Sequence, residues 1–161
     1  MSTFEVEVLR DCALPSPDDG SFERWVAAAL DGRRDEAVVS LRVVDAEEGR
    51  ALNAQWRGRD APTNVLSFPA ELPEEVGLPL LGDLVLCAPV VAREAAEQGK
   101  AVDDHWAHLV VHGVLHLLGM DHQDDSEAEA MEALEREILT ALGIADPYAG
   151  EPGAGAVDRD G

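Results

Sequence analysis

The sequence predicts an α/β (α+β) fold in a single domain, with about four strands, about five helices and a central helix that carries histidines. Short runs of strand-forming apolar residues indicate the strands, and longer segments with apolar residues at helical spacing indicate the helices. One of those helices is apolar nearly all round, which places it in the core. A chain of 161 residues is long enough for one hydrophobic core and too short for two ordinary domains.

The first part of the chain alternates predicted strands with predicted helices. Thr3 to Leu9 and Ala37 to Val44 alternate apolar and polar residues, which is typical of half-buried strands. Between them, a capping Ser21 and the apolar spacing that follows predict a helix to Leu30. Asp45 is predicted to cap a short helix through Trp56, and the following Arg-Gly-Arg-Asp-Ala-Pro run ends it.

The middle of the chain predicts a hairpin and then a helix. Thr63 to Phe68 and Gly82 to Cys87 are strand-like, and the Pro- and Glu-rich stretch from Pro69 to Pro79 predicts a long connection between them. Pro89 suits the first turn of a helix that runs to Gln98 and stops at Gly99.

The last part of the chain contains the histidine helix and one amphipathic helix. Asp103 or Asp104 is predicted to cap the histidine helix, which ends near Gly119. Ser126 to Leu142 has a core-facing apolar stripe. Past Pro147 the chain has no apolar period, so the predicted domain covers residues 1–148 and residues 149–161 are predicted to be a disordered tail.

The charge of the chain limits its partners. With 33 acidic against 12 basic residues, the formal net charge is −21, and such a chain repels polyanions. A nucleic acid would therefore have to be held by a local cationic patch, and Arg50, Arg57 and Arg59 form the densest candidate.

The chain carries no recognisable signal for export or membrane insertion. Its amino terminus lacks the basic start and apolar centre of a signal peptide, and no apolar run approaches the length of a membrane span, so a cytoplasmic protein without a membrane partner is predicted. Cys12 and Cys87 form no C-x-x-C pair, which gives no support to a disulfide framework or a cysteine zinc site, and Cys87 is predicted to be a core residue.

The run His-Gly-Val-Leu-His-Leu-Leu-Gly-Met-Asp-His from His112 to His122 is the most informative motif. His112 and His116 are four residues apart, so on a helix their Cβ atoms lie about 5–6 Å from one another. Gly119 favours a left-handed helix end, after which the chain can turn back and bring His122 to the same ion. Three imidazoles with one position left for water are typical of a catalytic zinc site, so one Zn²⁺ per chain is predicted.

The same spacing occurs in the zinc-protease signature H-E-x-x-H-x-x-G-x-x-H, in which the Glu is the general base. Here that position is Gly113, which cannot accept a proton. The motif therefore keeps the metal ligands and lacks the group that peptide hydrolysis by the usual route requires.

Other polar residues near the motif are candidates for a supporting role. His105 and His108 lie on the same helix face but one to two turns away. They are therefore either groups that support a metal ligand from behind or simply packed or solvated histidines. Asp83 and Asp121 are placed in the sequence to orient a ligand imidazole or the metal water. The alternatives are that Asp83 serves only a Gly-Asp turn and Asp121 only the bend before His122.

Three blocks of the sequence together resemble one family. They are the segment from Leu52 to Pro69, the run Gly-Asp-Leu-Val-Leu from Gly82, and the segment from His112 to His122. In combination they are similar to the YbeY family of bacterial endoribonucleases and ribosomal RNA maturation factors. The similarity runs from Leu41 to Tyr148.

The resemblance implies a small mixed sheet packed against helices, with zinc bound by His112, His116 and His122 in a cleft. It implies single-strand-selective cleavage of RNA, processing of the 3′ end of the small-subunit ribosomal RNA, removal of defective ribosomes, and the small subunit or its assembly proteins as partners. Arg57 matches the functional arginine of the family. Asn64 stands where the family often has Asp, which leaves an acidic role there unsupported.

The sequence hypothesis is that zinc activates water and polarises a phosphoryl oxygen, while Arg57 offsets the charge that develops on phosphorus. The alternative for Arg57 is an ordinary salt bridge in an acidic chain. Two other classes of protein stay open for the whole chain: a metallopeptidase, and a non-catalytic metal-stabilised factor that docks on the ribosome.

Overall fold

In the computed structural model, residues 3–58, 63–70, 80–120 and 125–144 can be described, and within them the chain forms four strands and five helices. This confirms the predicted α/β fold. In chain order the elements are β1 (Thr3–Asp11), α1 (Asp19–Leu30), β2 (Glu36–Val44), α2 (Ala46–Arg57), β3 (Val65–Pro69), β4 (Leu80–Cys87), α3 (Ala88–Gln98), α4 (Val102–Leu117) and α5 (Asp125–Ala141).

The strands form one mixed sheet in the order β1-β2-β4-β3. β1 and β4 both run parallel to β2, whereas β3 pairs antiparallel with β4. The mixed sheet and the hairpin of β3 and β4 are therefore confirmed. Most of the long connection predicted between them lies outside the described residues.

The two faces of the sheet contribute to separate apolar clusters, because side chains alternate along each strand. Leu41 and Leu84 point to the larger core, which also contains buried residues of α1 and α4. Val85 and Cys87 point to the other face, where they join a smaller apolar cluster with residues of α2 and α3. Cys87 is buried there, as predicted.

Helix α4 is the central helix, as the sequence predicts. It packs against α1, α3 and α5 and against β3 and β4. Nearly all of its side chains after the first turn are buried, including three of its histidines. A helix held on every side in this way presents a site with little freedom to shift.

Two predicted helix caps are wrong, and one is confirmed. The acceptor for α1 is Asp18, which takes a hydrogen bond from the backbone N–H of Ser21 at 2.7 Å. The residue before α4 is Ala101, which has no side-chain acceptor, so Asp103 and Asp104 lie in the first turn and act only on the helix dipole. Asp45 caps α2 as predicted, accepting from the N–H of Glu48 at 2.9 Å.

Gly119 ends the histidine helix as predicted, with a positive φ of 94°. Its N–H donates to the carbonyl of His116 at 2.9 Å, and the N–H of Met120 donates to the carbonyl of Leu115 at 3.1 Å. These two bonds form a Schellman motif, which gives two carbonyls of the last turn the hydrogen-bond donors that the helix itself does not supply. The chain therefore leaves the helix axis at Gly119, less than one turn after His116.

Among the described helices, none combines the length and apolar character that crossing a membrane requires. The predicted tail, residues 149–161, lies outside the described part of the chain, so its disorder stays a prediction.

Candidate metal centre

Four histidines form a ladder along one side of α4. Adjacent ring centroids are 6.2 Å apart for His105 and His108, 6.4 Å for His108 and His112, and 4.6 Å for His112 and His116. The spacing of three and four residues puts them on one helix face. His105, His108 and His112 are buried, while His116 is half-buried at the end of the ladder.

The side chains of His112 and His116 converge on one point. Their Nε2 atoms are 3.1 Å apart, whereas two nitrogens of a tetrahedral zinc site with Zn–N bonds of about 2.0–2.1 Å stand about 3.3 Å apart. Two imidazole nitrogens at this separation fit a shared cation of zinc size. The same distance is that of a hydrogen bond between the two rings, so the role of His112 and His116 as metal ligands stays a prediction.

A buried carboxylate on α5 supports one of these rings. Glu135 Oε1 lies 3.0 Å from His112 Nδ1 and also 3.0 Å from His108 Nε2. A carboxylate accepts hydrogen bonds, so both ring nitrogens facing it carry hydrogens. With Nδ1 of His112 protonated, its Nε2 keeps a lone pair directed towards His116.

The protonation of this cluster follows from its burial. Burial lowers the pKa of His108 to about 4, against the opposing pull of Glu135, so this imidazole is neutral at pH 7. Burial raises the pKa of Glu135, but the hydrogen bonds from His108 and His112 outweigh it and bring the pKa down to about 2. The result is an ionised carboxylate that accepts hydrogen bonds from two buried rings, of which His108 is neutral.

The sequence hypothesis missed Glu135, although a signal was present. The apolar stripe of α5 contains Met131 and Ile138, and Glu135 falls between them at helical spacing, in a position that an apolar residue would normally occupy. A lone carboxylate on the core face of a helix is uncommon unless it is paired. That position could have been singled out as the partner of a buried histidine.

The histidine furthest from the site belongs to a separate network. His105 Nε2 lies 2.9 Å from Glu94 Oε1, and the side-chain amide of Asn64 donates to the same oxygen at 3.1 Å. His105 is thus a packed histidine, which was one of its two predicted roles. The amide of Asn64 suits this contact, because a carboxylate there would face the carboxylate of Glu94.

Asp83 lies on the sheet face opposite to α4. Its neighbour Leu84 points towards α4, so the alternation of the strand turns Asp83 away from the histidines. It lines a groove of about 840 Å³, in a cross-strand row with Glu7, Ser40 and Phe68. The predicted supporting role of Asp83 at the metal stays a prediction, and its neighbours here are residues of the groove.

The other predicted site residues are only partly placed. Arg50 is exposed on α2 and lies 4.0 Å from Glu47, and Arg57 is the last residue of the same helix. Arg59, Asp121 and His122 lie outside the described residues. Within the described residues, no three side chains of His, Cys, Asp or Glu come together as a metal site, so the third predicted ligand, His122, stays a prediction.

Gly113 lies at a close contact between α4 and the sheet. A Cβ atom at this position would stand 2.7 Å from one Leu84 methyl carbon and 3.1 Å from the other. Its carbonyl also accepts a hydrogen bond from the Ser67 hydroxyl at 3.3 Å. The residue that replaces the protease glutamate is therefore one whose missing side chain lets α4 approach β4.

The chain matches known proteins over most of its length. The family described as Endoribonuclease YbeY matches residues 16–143. A protein of Stenotrophomonas maltophilia (strain K279a) with the name Endoribonuclease YbeY is 66% identical over 153 residues, which cover 91% of this chain and 95% of that protein. One of Xanthomonas axonopodis pv. citri (strain 306), with the same name and coverage, is 64% identical.

A solved structure has the same fold. The solution structure of TM1509 from Thermotoga maritima aligns with a TM-score of 0.55, covering 92% of this chain and 99% of that chain at 24% sequence identity. At that identity the likeness shows the fold alone. The extent and identity of the sequence matches show more: this chain belongs to the YbeY family of endoribonucleases.

Proposed function

We propose that this protein is a zinc-dependent endoribonuclease that cuts single-stranded RNA in the cytoplasm. The proposed substrate is the ribosomal RNA of the small subunit. The protein would cut it in maturation of its 3′ end and in removal of defective ribosomes, with the small subunit or its assembly proteins as partners. The endoribonuclease activity follows from membership of the family. The observation that carries the metal is the convergence of His112 and His116, whose Nε2 atoms lie 3.1 Å apart.

In this proposal His112 and His116 hold the ion together with His122. Zinc, when bound, acts as a Lewis acid towards a phosphodiester and activates water. The rest of the work falls to the chain itself. The contact with Glu135 places a hydrogen of His112 on Nδ1, and Arg57 would contact the phosphate with its guanidinium fork, which stays charged at any physiological pH.

RNA must be bound against an unfavourable overall charge of −21. Arg50 and Arg57 lie on α2 seven residues apart, about 10 Å along the helix axis, and Arg59 follows in sequence. If only these three arginines contact phosphates, the dependence of affinity on salt is shallow, with a slope of about −2 for a single strand. Binding then depends more on the metal and on contacts to bases than on bulk electrostatics.

The experiment that tests the proposal compares two polymers. Purified protein is incubated with unstructured RNA and with casein, each with zinc and with a chelator. We expect RNA to be cut only in the presence of zinc and casein to stay intact, because Gly113 cannot act as a general base. Cleavage of casein but not of RNA would mean a peptidase, and cleavage of neither would favour a docking factor.

Replacing Arg57 separates metal binding from catalysis. We expect Arg57→Ala to keep its zinc and to cut RNA about 100-fold more slowly, because a charge-stabilising donor typically contributes a factor of about 10²–10³. Metal content and single-turnover cleavage rates are measured together. Arg93→Ala is the matched control, since Arg93 is an exposed arginine on α3 paired within its own helix to Glu97. Full activity of Arg57→Ala would remove that residue from the mechanism.

A further inference from the structure

We infer that Glu135 is the positioning residue of the metal centre, because it orients the ring of His112. We also infer that His108, which contacts the same carboxylate, holds Glu135 in place. This inference rests on the proposed function, since it concerns the ion that His112 and His116 would bind. It adds a carboxylate from a different helix to a site that the sequence motif describes only within and after α4. Three observations support it.

The first observation is the geometry of the contacts. One oxygen of Glu135 lies 3.0 Å from His112 Nδ1 and 3.0 Å from His108 Nε2. His108 and His112 lie one turn apart on α4, so the carboxylate spans that turn from the side of α5. The ring of His112 is consequently held by Glu135 at Nδ1. Its other nitrogen, Nε2, faces Nε2 of His116, where the ion would bind.

The second observation is the burial of the group. Glu135 is 1% exposed and stands in the apolar stripe of α5 beside Met131 and Ile138. A buried carboxylate is expensive to desolvate, and apolar residues of similar volume often stabilise a fold equally well. Its position in the core is therefore poorly explained by folding stability, and a role towards His112 explains it.

The third observation concerns the direction of the lone pair. A neutral imidazole has one N–H, and in His112 the contact with Glu135 assigns it to Nδ1. Metal-bound histidines usually donate a hydrogen bond from the N–H of their second ring nitrogen to a carboxylate or carbonyl, and loss of that partner weakens metal binding by about 10–100-fold. Without Glu135, His112 would divide its population between two tautomers, and only one of them can bind the ion.

The test measures zinc affinity and does not depend on RNA cleavage. Zinc is titrated into metal-free protein in competition with a chromogenic chelator, for the wild type and for Glu135→Gln. We expect the dissociation constant of Glu135→Gln to rise by about 10-fold, because the neutral amide oxygen of Gln accepts from the two rings more weakly than a carboxylate does. Glu137→Gln is the matched control, because it removes the same charge from the exposed side of the same helix, and we expect it to bind zinc like the wild type.

A second measurement needs no substitution, which matters if Glu135→Gln folds poorly. Nitrogen-15 NMR of the metal-free wild type distinguishes the two tautomers of each histidine. We expect His112 to carry its hydrogen on Nδ1 and His108 on Nε2. A His112 ring protonated on Nε2 would overturn the inference, and so would an unchanged zinc affinity in folded Glu135→Gln.

The two hypotheses can fail separately. If the wild type binds zinc and cuts RNA but Glu135→Gln binds zinc equally well, the positioning role is wrong and the proposed function stands. If the wild type binds no zinc, the metal centre of the proposed function is wrong, and the role of Glu135 towards the ion falls with it.

Discussion

We expect His116→Ala to lose both the zinc ion and RNA cleavage. Two ligands remain in the hypothesis after this change, and a catalytic zinc site uses three protein ligands. Lewis-acid stabilisation contributes several kcal/mol to such reactions, so cleavage should fall by about 1000-fold or more. Because His116 is only half-buried, its removal leaves little empty space in the core, and the fold should survive.

The measurement is metal content per chain together with cleavage rate, and chelated wild type is the natural control. Metal-free wild type and His116→Ala should show similar circular dichroism spectra and similarly low activity. Restoring zinc should restore only the wild type. If His116→Ala retains one tightly bound zinc and cuts RNA at the wild-type rate, the ion is held elsewhere and the metal motif has been misinterpreted.

The contrast with Arg57→Ala makes this result informative. One variant is expected to lose the ion, while the other is expected to keep it, although both cut RNA slowly. A variant that had simply misfolded would lose both the zinc ion and RNA cleavage. The pair of variants therefore distinguishes a ligand from a group that acts on the substrate.

The elements that could be predicted from the sequence are those governed by local periodicity. The order of strands and helices, the core position of α4 and the left-handed end at Gly119 all depend on residues close together in the chain. The convergence of His112 and His116 is also local, because it needs only a helix and a spacing of four.

The features that could not be predicted depend on contacts between distant segments. Glu135 lies 23 residues after His112, and only the packing of α5 against α4 brings them together. The sequence makes Asp83 a candidate to orient a ligand imidazole. The alternation of side chains along β4, however, places it on the face of the sheet opposite to α4. The cap predictions for α1 and α4 were wrong for a smaller reason. Several polar residues stand near each helix start, and the backbone decides which residue directly precedes the helix.

The packing of α4 links the fold to the site. Glu135 reaches the histidines from α5, and Leu84 and Ser67 contact Gly113 from the sheet. The candidate ligands are therefore held from both sides of the helix. Such support is what keeps metal ligands in place when the ion is absent, and it makes the site sensitive to changes in either neighbour.

Gly113→Glu would restore the glutamate of the zinc-protease signature, and we expect it to unfold the protein without creating a peptidase. A Cβ atom at this position already stands 2.7 Å from a Leu84 methyl carbon, and a glutamate adds a carboxylate to the same buried contact. The combined overpacking and burial of an unpaired charge should lower the free energy of unfolding by about 4 kcal/mol or more. Since domains are stable by about 5–15 kcal/mol, a loss of this size removes most of the stability of a domain at the lower end of that range and raises the unfolded fraction that is degraded in a cell.

Gly113→Ala is the control that separates sterics from charge. Its single methyl group would force the terminal carbons of Leu84 to shift, whereas alanine favours a helix over glycine by about 1 kcal/mol, so the net change should stay within about 1–2 kcal/mol. Urea unfolding of the three proteins gives the comparison. A Gly113→Glu protein with wild-type stability and zinc-dependent cleavage of casein would show that the glycine is not required by packing, and that the missing base alone separates this site from a peptidase.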